Sequence, residues 1–168
     1  MWNDTDEPIG YLITIRTYGT WLHGDANTSV DRHNNIFGTP RVPPNARWQK
    51  HNRKEMIGEP VYLNARQRTV IKQAIKDVCS KRNWFNYAIN VRTNHAHIVV
   101  ASHGRRSSVF LNAFKSNATR SMREAGLWPY KYSPWADKGS QRKLWNDRDL
   151  AYATNYVEHE QGEDLPEE

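Results

Sequence analysis

One cysteine is all this chain has, and that scarcity excludes a good deal. Cys79 has no second thiol with which to close an internal disulfide or build a cysteine-type zinc site, which fits a reducing compartment. Also missing is any long apolar run. Nothing approaches the roughly 20 residues needed to span a bilayer, and the polar, acidic start after Trp2 lacks the basic opening and apolar stretch of a secretory signal. A soluble, cytoplasmic protein with no membrane partner is the expectation. Acidic residues are short as well: 18 Asp plus Glu stand against 24 Lys plus Arg, a formal charge of +6, with a calculated pI near 9.5. That balance favours a polyanionic partner, although charge alone does not separate DNA from RNA or an anionic surface.

What remains is a chain of 168 residues, room for one domain with a proper core and too little for two. Its seven Trp and eight Tyr supply flat rings that either fill a core or stack on unpaired bases. Tyr11 to Thr17 alternates, with Tyr11, Ile13 and Ile15 on one side and Leu12, Thr14 and Arg16 on the other, as a half-buried strand does. From residue 18 to about 60 the text turns to Gly, Asn, Asp and Pro and predicts a long loop inserted in the domain. Asn64 and Gln67 form a capping-box pattern ahead of Val70, Ile71, Ala74, Ile75, Val78 and Cys79 at helical spacing, so a helix is expected over roughly 64–80. Phe85, Tyr87, Ile89 and Val91 alternate, and after Thr93-Asn94 a second run goes from His95 to Ala101, which predicts an antiparallel hairpin.

Val109, Phe110, Ala113, Phe114 and Met122 mark a second amphipathic helix that Gly126 would close. Arg142 to Trp145 predicts a short edge strand. Asn146 or Asp147 caps a final helix over about 148–161, whose buried stripe reads as Leu150, Thr154, Val157 and Gln161, with an acidic tail over 163–168 expected to fray. The order β-α-β-β-α-β plus a last helix matches an α+β, ferredoxin-like split βαβ plan, an antiparallel sheet with helices packed on it.

The chemistry concentrates at Asn94-His95-Ala96-His97. In a strand, side chains two apart point the same way, so His95 and His97 project together while Ala96, Ile98 and Val100 take the other side. Two adjacent imidazoles can share a metal and leave the rest of its coordination sphere to oxygen ligands, but a bare His-x-His has a high false-positive rate and its neighbours must decide. On the last helix Tyr156 flanks the buried stripe, where its hydroxyl can approach the sheet, whereas Tyr152, one turn earlier, is rotated toward solvent.

Asn94-His95-Ala96-His97 before an apolar run, with Tyr156-Val157 about 60 residues on, resembles the single-tyrosine transposases of the HUH superfamily. Within it the chain looks like the REP-associated tyrosine transposases of the IS200-like family. Tyr18-Gly19-Thr20-Trp21-Leu22, the basic helix around Lys115 and Arg120, Trp135-Ala136, Gly139-Ser140 and Glu160-Gln161-Gly162 agree with that pattern. Thr93 departs from it, standing where many relatives have proline. The resemblance implies a metal-dependent endonuclease and strand transferase that acts on single-stranded DNA near hairpins through a 5′-phosphotyrosine intermediate. It further implies His95 and His97 as ligands of Mg2+ or Mn2+ and Tyr156 as nucleophile. The third ligand is expected at the polar residue one turn after the tyrosine, Glu160, with Gln161 as the alternative. The physics agrees: a phenol, with a reference pKa of about 10, attacks poorly near neutral pH until its proton is removed or its negative charge stabilised.

Arg105 and Arg106 opening the second helix, Lys115 and Arg120 continuing its basic surface, and Lys138, Arg142 and Lys143 in a second cluster beyond it are the candidate DNA contacts, suited to neutralising phosphates without reading bases. A competing reading is a non-catalytic nucleic-acid-binding module of the same fold, distinguished by its failure to capture DNA covalently. Whether the protein works as a monomer or a homodimer is left open by the sequence.

Overall fold

The computed structural model describes residues 7–20 and 58–166; most of the long 18–60 segment and the end of the acidic tail lie outside the described residues. Four strands, β1 (Gly10–Arg16), β2 (Asn86–Val91), β3 (His95–Ala101) and β4 (Ser140–Leu144), form one sheet in the order β2-β3-β1-β4. Every neighbouring pair is antiparallel. Helices α1 (Ala65–Arg82) and α2 (Ser107–Glu124) join them in the split βαβ pattern, and α3 (Asp147–His159) follows β4. This is the α+β, ferredoxin-like arrangement expected from the order of elements. Among the described residues no helix is long and apolar enough to cross a membrane.

The elements start and stop for local reasons. Asn64 accepts from the Gln67 backbone N–H at 2.9 Å while Gln67 returns a contact to the Asn64 N–H at 3.0 Å, the reciprocal capping box. At the other end of α1, Asn83 takes the left-handed conformation (φ 58°) that lets its N–H reach back to the last carbonyls. Asn146 caps α3 by accepting from Asp149 N–H at 2.9 Å. The edge strand begins two residues earlier than its apolar residues announce, at Ser140, because Gly139 lets the chain come alongside β1. A Cβ on Gly139 would sit 2.6 Å from the Thr14 carbonyl oxygen.

Both faces of the sheet are covered. Tyr11, Ile13 and Ile15 of β1 and Ala96, Ile98 and Val100 of β3 pack against α1 and α2, where Trp84, Phe110 and Phe114 form the aromatic centre of the main core. The Trp84 and Phe110 rings lie 4.6 Å apart and the Tyr11 and Phe110 rings 5.7 Å apart. On the reverse face Leu12, Ala88, Val99 and Leu144 meet Ala153 and Val157 of α3. The half-buried reading of β1 is thereby corrected: as an inner strand roofed by α3 it is buried on both sides. The α3 stripe also differs from expectation, running through Leu150, Ala153 and Val157 with Tyr156 packed alongside. In β2 the alternation breaks at a register shift between Asn86 and Ala88, so Phe85 and Tyr87 stay exposed and pack edge-on at 4.7 Å.

Candidate functional site

The register of β1 with β3 decides what His95 and His97 face. Thr14 is paired with His97, Arg16 with His95 and, across β2, Asn90 with His97. All these positions share the α3 side of the sheet, since alternate residues of β1 and β3 supply the main core. The two imidazoles lie 4.6 Å apart between ring centroids, and the Tyr156 ring stands 5.7 Å from His97 at 63°. His97 is only 3% exposed. Asn90 donates its side-chain amide to the Val157 carbonyl at 3.0 Å, tying β2 to the turn of α3 that carries Tyr156. Tyr152, by contrast, is 60% exposed.

Each histidine is held through Nδ1. His97 Nδ1 lies 2.7 Å from Thr14 Oγ1, inside the fold, and His95 Nδ1 lies 2.7 Å from Asn94 Oδ1. An amide oxygen accepts only, so His95 Nδ1 must donate, which leaves the lone pair of a neutral ring on Nε2. That atom faces Gln161 Oε1 at 3.3 Å, while the Gln161 amide nitrogen donates to the Tyr156 carbonyl at 3.2 Å and so fixes which end of the glutamine looks inward. His95 Nε2 and Gln161 Oε1 thus lie side by side, and a set of two imidazoles and an amide oxygen is the mixed nitrogen and oxygen environment that suits a divalent first-row ion.

Glu160 stands elsewhere. It is exposed at the cap position of α3, and among the described residues no group of three His, Cys, Asp or Glu side chains comes together for a metal. Helical spacing fails here because α3 ends at His159; Glu160 has already left helical geometry (φ −116°) and Gly162 turns the chain with φ 85°. It is therefore Gln161 that swings to the sheet. Beyond it Arg92 donates to the Glu163 carbonyl at 2.8 Å and Arg68 to the Pro166 carbonyl at 2.9 Å, so residues 163–166, expected to fray, lie against β2 and α1.

The basic candidates fall into separate places. Arg105 and Arg106 are exposed just ahead of α2, with the Arg105 carbonyl accepting from the Tyr11 hydroxyl at 2.6 Å. Arg120 is exposed on α2 and contacts Asn117. Lys115 is half-buried: its ammonium donates to the Ala136 carbonyl at 2.8 Å and to that of Lys138, and burial lowers its pKa, with Arg16 adding to the effect and Asp137 opposing it. Arg142, on the same side of β4 as Ser140 and Leu144, is buried on the α3 face. Lys138 and Lys143 are exposed, the latter 5.7 Å over the Trp145 ring. Sequence reasoning passed over Thr14, whose role depends on a strand register invisible in the text. It also gave no task to Asn94, although that residue sits inside the motif.

Residues 48–160 match the family of IS200-like transposases. The chain belongs to that family. No curated protein matches it at a significant level. Among solved structures it is similar to a REP-associated tyrosine transposase bound to a REP hairpin, at 11% identity over 94% of this chain and 67% of that one, with a TM-score of 0.48. A second is a candidate transposase from Deinococcus radiodurans, at 12% identity over 97% of this chain and 98% of that one, with a TM-score of 0.47.

Proposed function

We propose that this IS200-like transposase cuts single-stranded DNA beside a hairpin and passes the broken end to another strand, with Tyr156 as nucleophile. The observation that carries the reading is the row of three rings, His95, His97 and Tyr156, stacked edge to face on one side of the sheet although the tyrosine comes from a different element. In the cutting step the Tyr156 oxygen bonds to phosphorus, the bond from phosphorus to the 3′ oxygen breaks, the phenolic proton is given up and the leaving oxygen takes a proton as a 3′-hydroxyl. The products are a 5′-phosphotyrosine and a free 3′ end. Because the new ester retains the energy of the old linkage, an incoming 3′-hydroxyl reverses the step on a different strand, and the enzyme joins as well as cuts.

His95, His97 and the Gln161 side-chain oxygen are the groups that would hold Mg2+ or Mn2+. The chemistry such an ion would supply there is polarisation of a phosphoryl oxygen and offset of charge in the transition state. The chain's own contribution is orientation: Thr14 and Asn94 fix the imidazoles through Nδ1, and Val157, buried against Val99 and Leu12, seats the helical turn that carries Tyr156.

The test is covalent capture. Purified protein incubated with labelled oligonucleotide hairpins and Mn2+ should give an adduct that survives a denaturing gel. Tyr156→Phe should abolish that band while DNA binding persists. A band lost with Tyr152→Phe and retained with Tyr156→Phe would reassign the nucleophile, and binding with no adduct under any metal would leave a non-catalytic DNA-binding module.

A further inference from the structure

On the face of the sheet away from His95, α2 and the segment 127–139 enclose a basic groove that the chemistry above does not use. Its base is Thr119 and Trp135, whose indole N–H donates to the Thr119 hydroxyl at 3.1 Å, and its sides carry Arg120, Arg123 and Lys131 with Glu124 as the one acid. The segment is pinned rather than loose. Lys115 holds it through the carbonyls of Ala136 and Lys138, the Trp128 indole donates to the Tyr132 carbonyl at 2.8 Å, and Arg123 reaches the Tyr130 carbonyl at 3.3 Å.

Next to Lys131 in the chain, Tyr130 is 53% exposed. Its ring is already ordered, stacked on Tyr132 at 5.5 Å and 27° and meeting Trp128 in a T-shaped pair at 4.9 Å. An aromatic ring kept partly in water, next in the chain to the groove's Lys131 and with its own backbone carbonyl held by Arg123, is an unusual use of apolar surface. It matches what a nucleotide strand offers, a π-face for each unpaired base and a phosphate for each cation. Because the ring is held before anything binds, little side-chain freedom is lost on contact.

The groove also lies in a useful place. Its segment pairs Trp135 with Thr17 and donates from Ala136 N–H to the Arg16 carbonyl at 2.8 Å, and Arg16 is the residue across from His95. Groove and imidazole pair thus occupy the same end of the sheet on opposite faces.

We infer that this groove is a second DNA-binding surface, taking a single-stranded segment whose phosphates lie along Arg120, Arg123 and Lys131 and one of whose bases stacks on Tyr130. The inference rests on the proposed function only for the choice of DNA as ligand. An unpaired base is required because a base inside a duplex has no face to give the ring. Lys115 takes no part, its half-buried ammonium being turned onto the loop carbonyls, whereas the exposed Arg123 meets its carbonyls through Nη2 alone and has further N–H donors on its guanidinium.

The experiment uses the full chain carrying Tyr156→Phe, so that no adduct forms, and measures fluorescence anisotropy with labelled oligothymidylate and with a blunt DNA duplex over a series of salt concentrations. Adding Tyr130→Ala should weaken oligothymidylate binding by about 10-fold, and Tyr130→Phe should restore it. Arg120→Gln with Lys131→Gln should reduce the salt slope by about 1.4, roughly 0.7 for each phosphate contact on a single strand. Circular dichroism and thermal midpoints should stay unchanged, since these side chains are exposed. The proposal is overturned if affinity and slope are unaltered, or if the losses fall on the duplex and spare the single strand. Should covalent capture fail with the intact chain while these effects are seen, the groove stands and the cleavage chemistry falls.

Discussion

Under α1 and α2 the sheet meets Trp84, Phe110 and Phe114 over branched aliphatics, whereas under α3 it meets a small patch of Leu12, Ala88, Val99 and Leu144 that gives way to Thr14, Asn90, His95 and His97. The same strands build both surfaces, one from each alternate set of residues. Burial supplies the free energy on the first face, at roughly 25 cal/mol per Å2 of apolar area. On the second face that gain is given up locally so that polar groups can be kept in defined positions, each with a hydrogen-bond partner. On the proposed function, stability and chemistry are therefore carried by opposite sides of one sheet, and substitutions should separate them.

The largest effect is expected on the aromatic side. Phe110 is fully buried against Tyr11, Trp84 and Phe114, and Phe110→Ala should destabilise the fold by about 3–5 kcal/mol. For a chain of this size each kcal/mol lowers the thermal midpoint by about 2–4 °C, which differential scanning calorimetry reads directly. Below that midpoint, covalent capture of DNA should persist. Loss of capture in protein that is still folded would show that the two faces are not separable.

A smaller and different effect belongs to Thr14. Thr14→Val preserves the shape of the side chain but removes the oxygen 2.7 Å from His97 Nδ1, leaving a buried ring nitrogen without that partner at a cost of about 1–3 kcal/mol. Outer partners of metal-binding histidines are worth about 10–100-fold in metal affinity, so the Mn2+ concentration needed for half-maximal adduct should rise by that factor. Thr14→Ser should restore it. A fall in stability with no change in metal dependence would make Thr14 a packing residue only.

Much of this division was legible from residue types. The alternation in His95 to Ala101 already put the histidines on the side away from Ala96, Ile98 and Val100, and the Asn64 and Gln67 pair marked the start of α1. Such signals are local, set by a period of two or by a cap within one turn. What stayed hidden depends on parts of the chain far apart in sequence. The partnership of Thr14 with His97 spans 83 residues and follows from the β1 and β3 register. The burial of both sides of β1 follows from α3 crossing the reverse face, and the withdrawal of Lys115 from solvent follows from the path of the 136–138 segment. Charge in the text reveals a cation but not whether its ammonium faces water or a carbonyl.

The end of α3 gives the finest comparison, between two adjacent residues of nearly equal size. Helical spacing from Tyr156 selects Glu160, and a carboxylate is the stronger ligand for a hard divalent ion, so chemistry and periodicity both favour it. The backbone leaves the helix at that residue, however, and it is Gln161 whose oxygen lies 3.3 Å from His95 Nε2. Gln161→Ala should therefore weaken Mn2+ binding by about 10-fold in isothermal titration, comparable to the loss of an outer contact, and Glu160→Ala should leave it within error. The decisive variant is Gln161→Glu. If the side chain meets the ion, replacing a neutral oxygen with a charged one tightens binding without altering the fold. If instead Glu160→Ala removes the metal and Gln161→Glu changes nothing, the last turn of α3 must rewind when the ion binds, carrying Tyr156 with it.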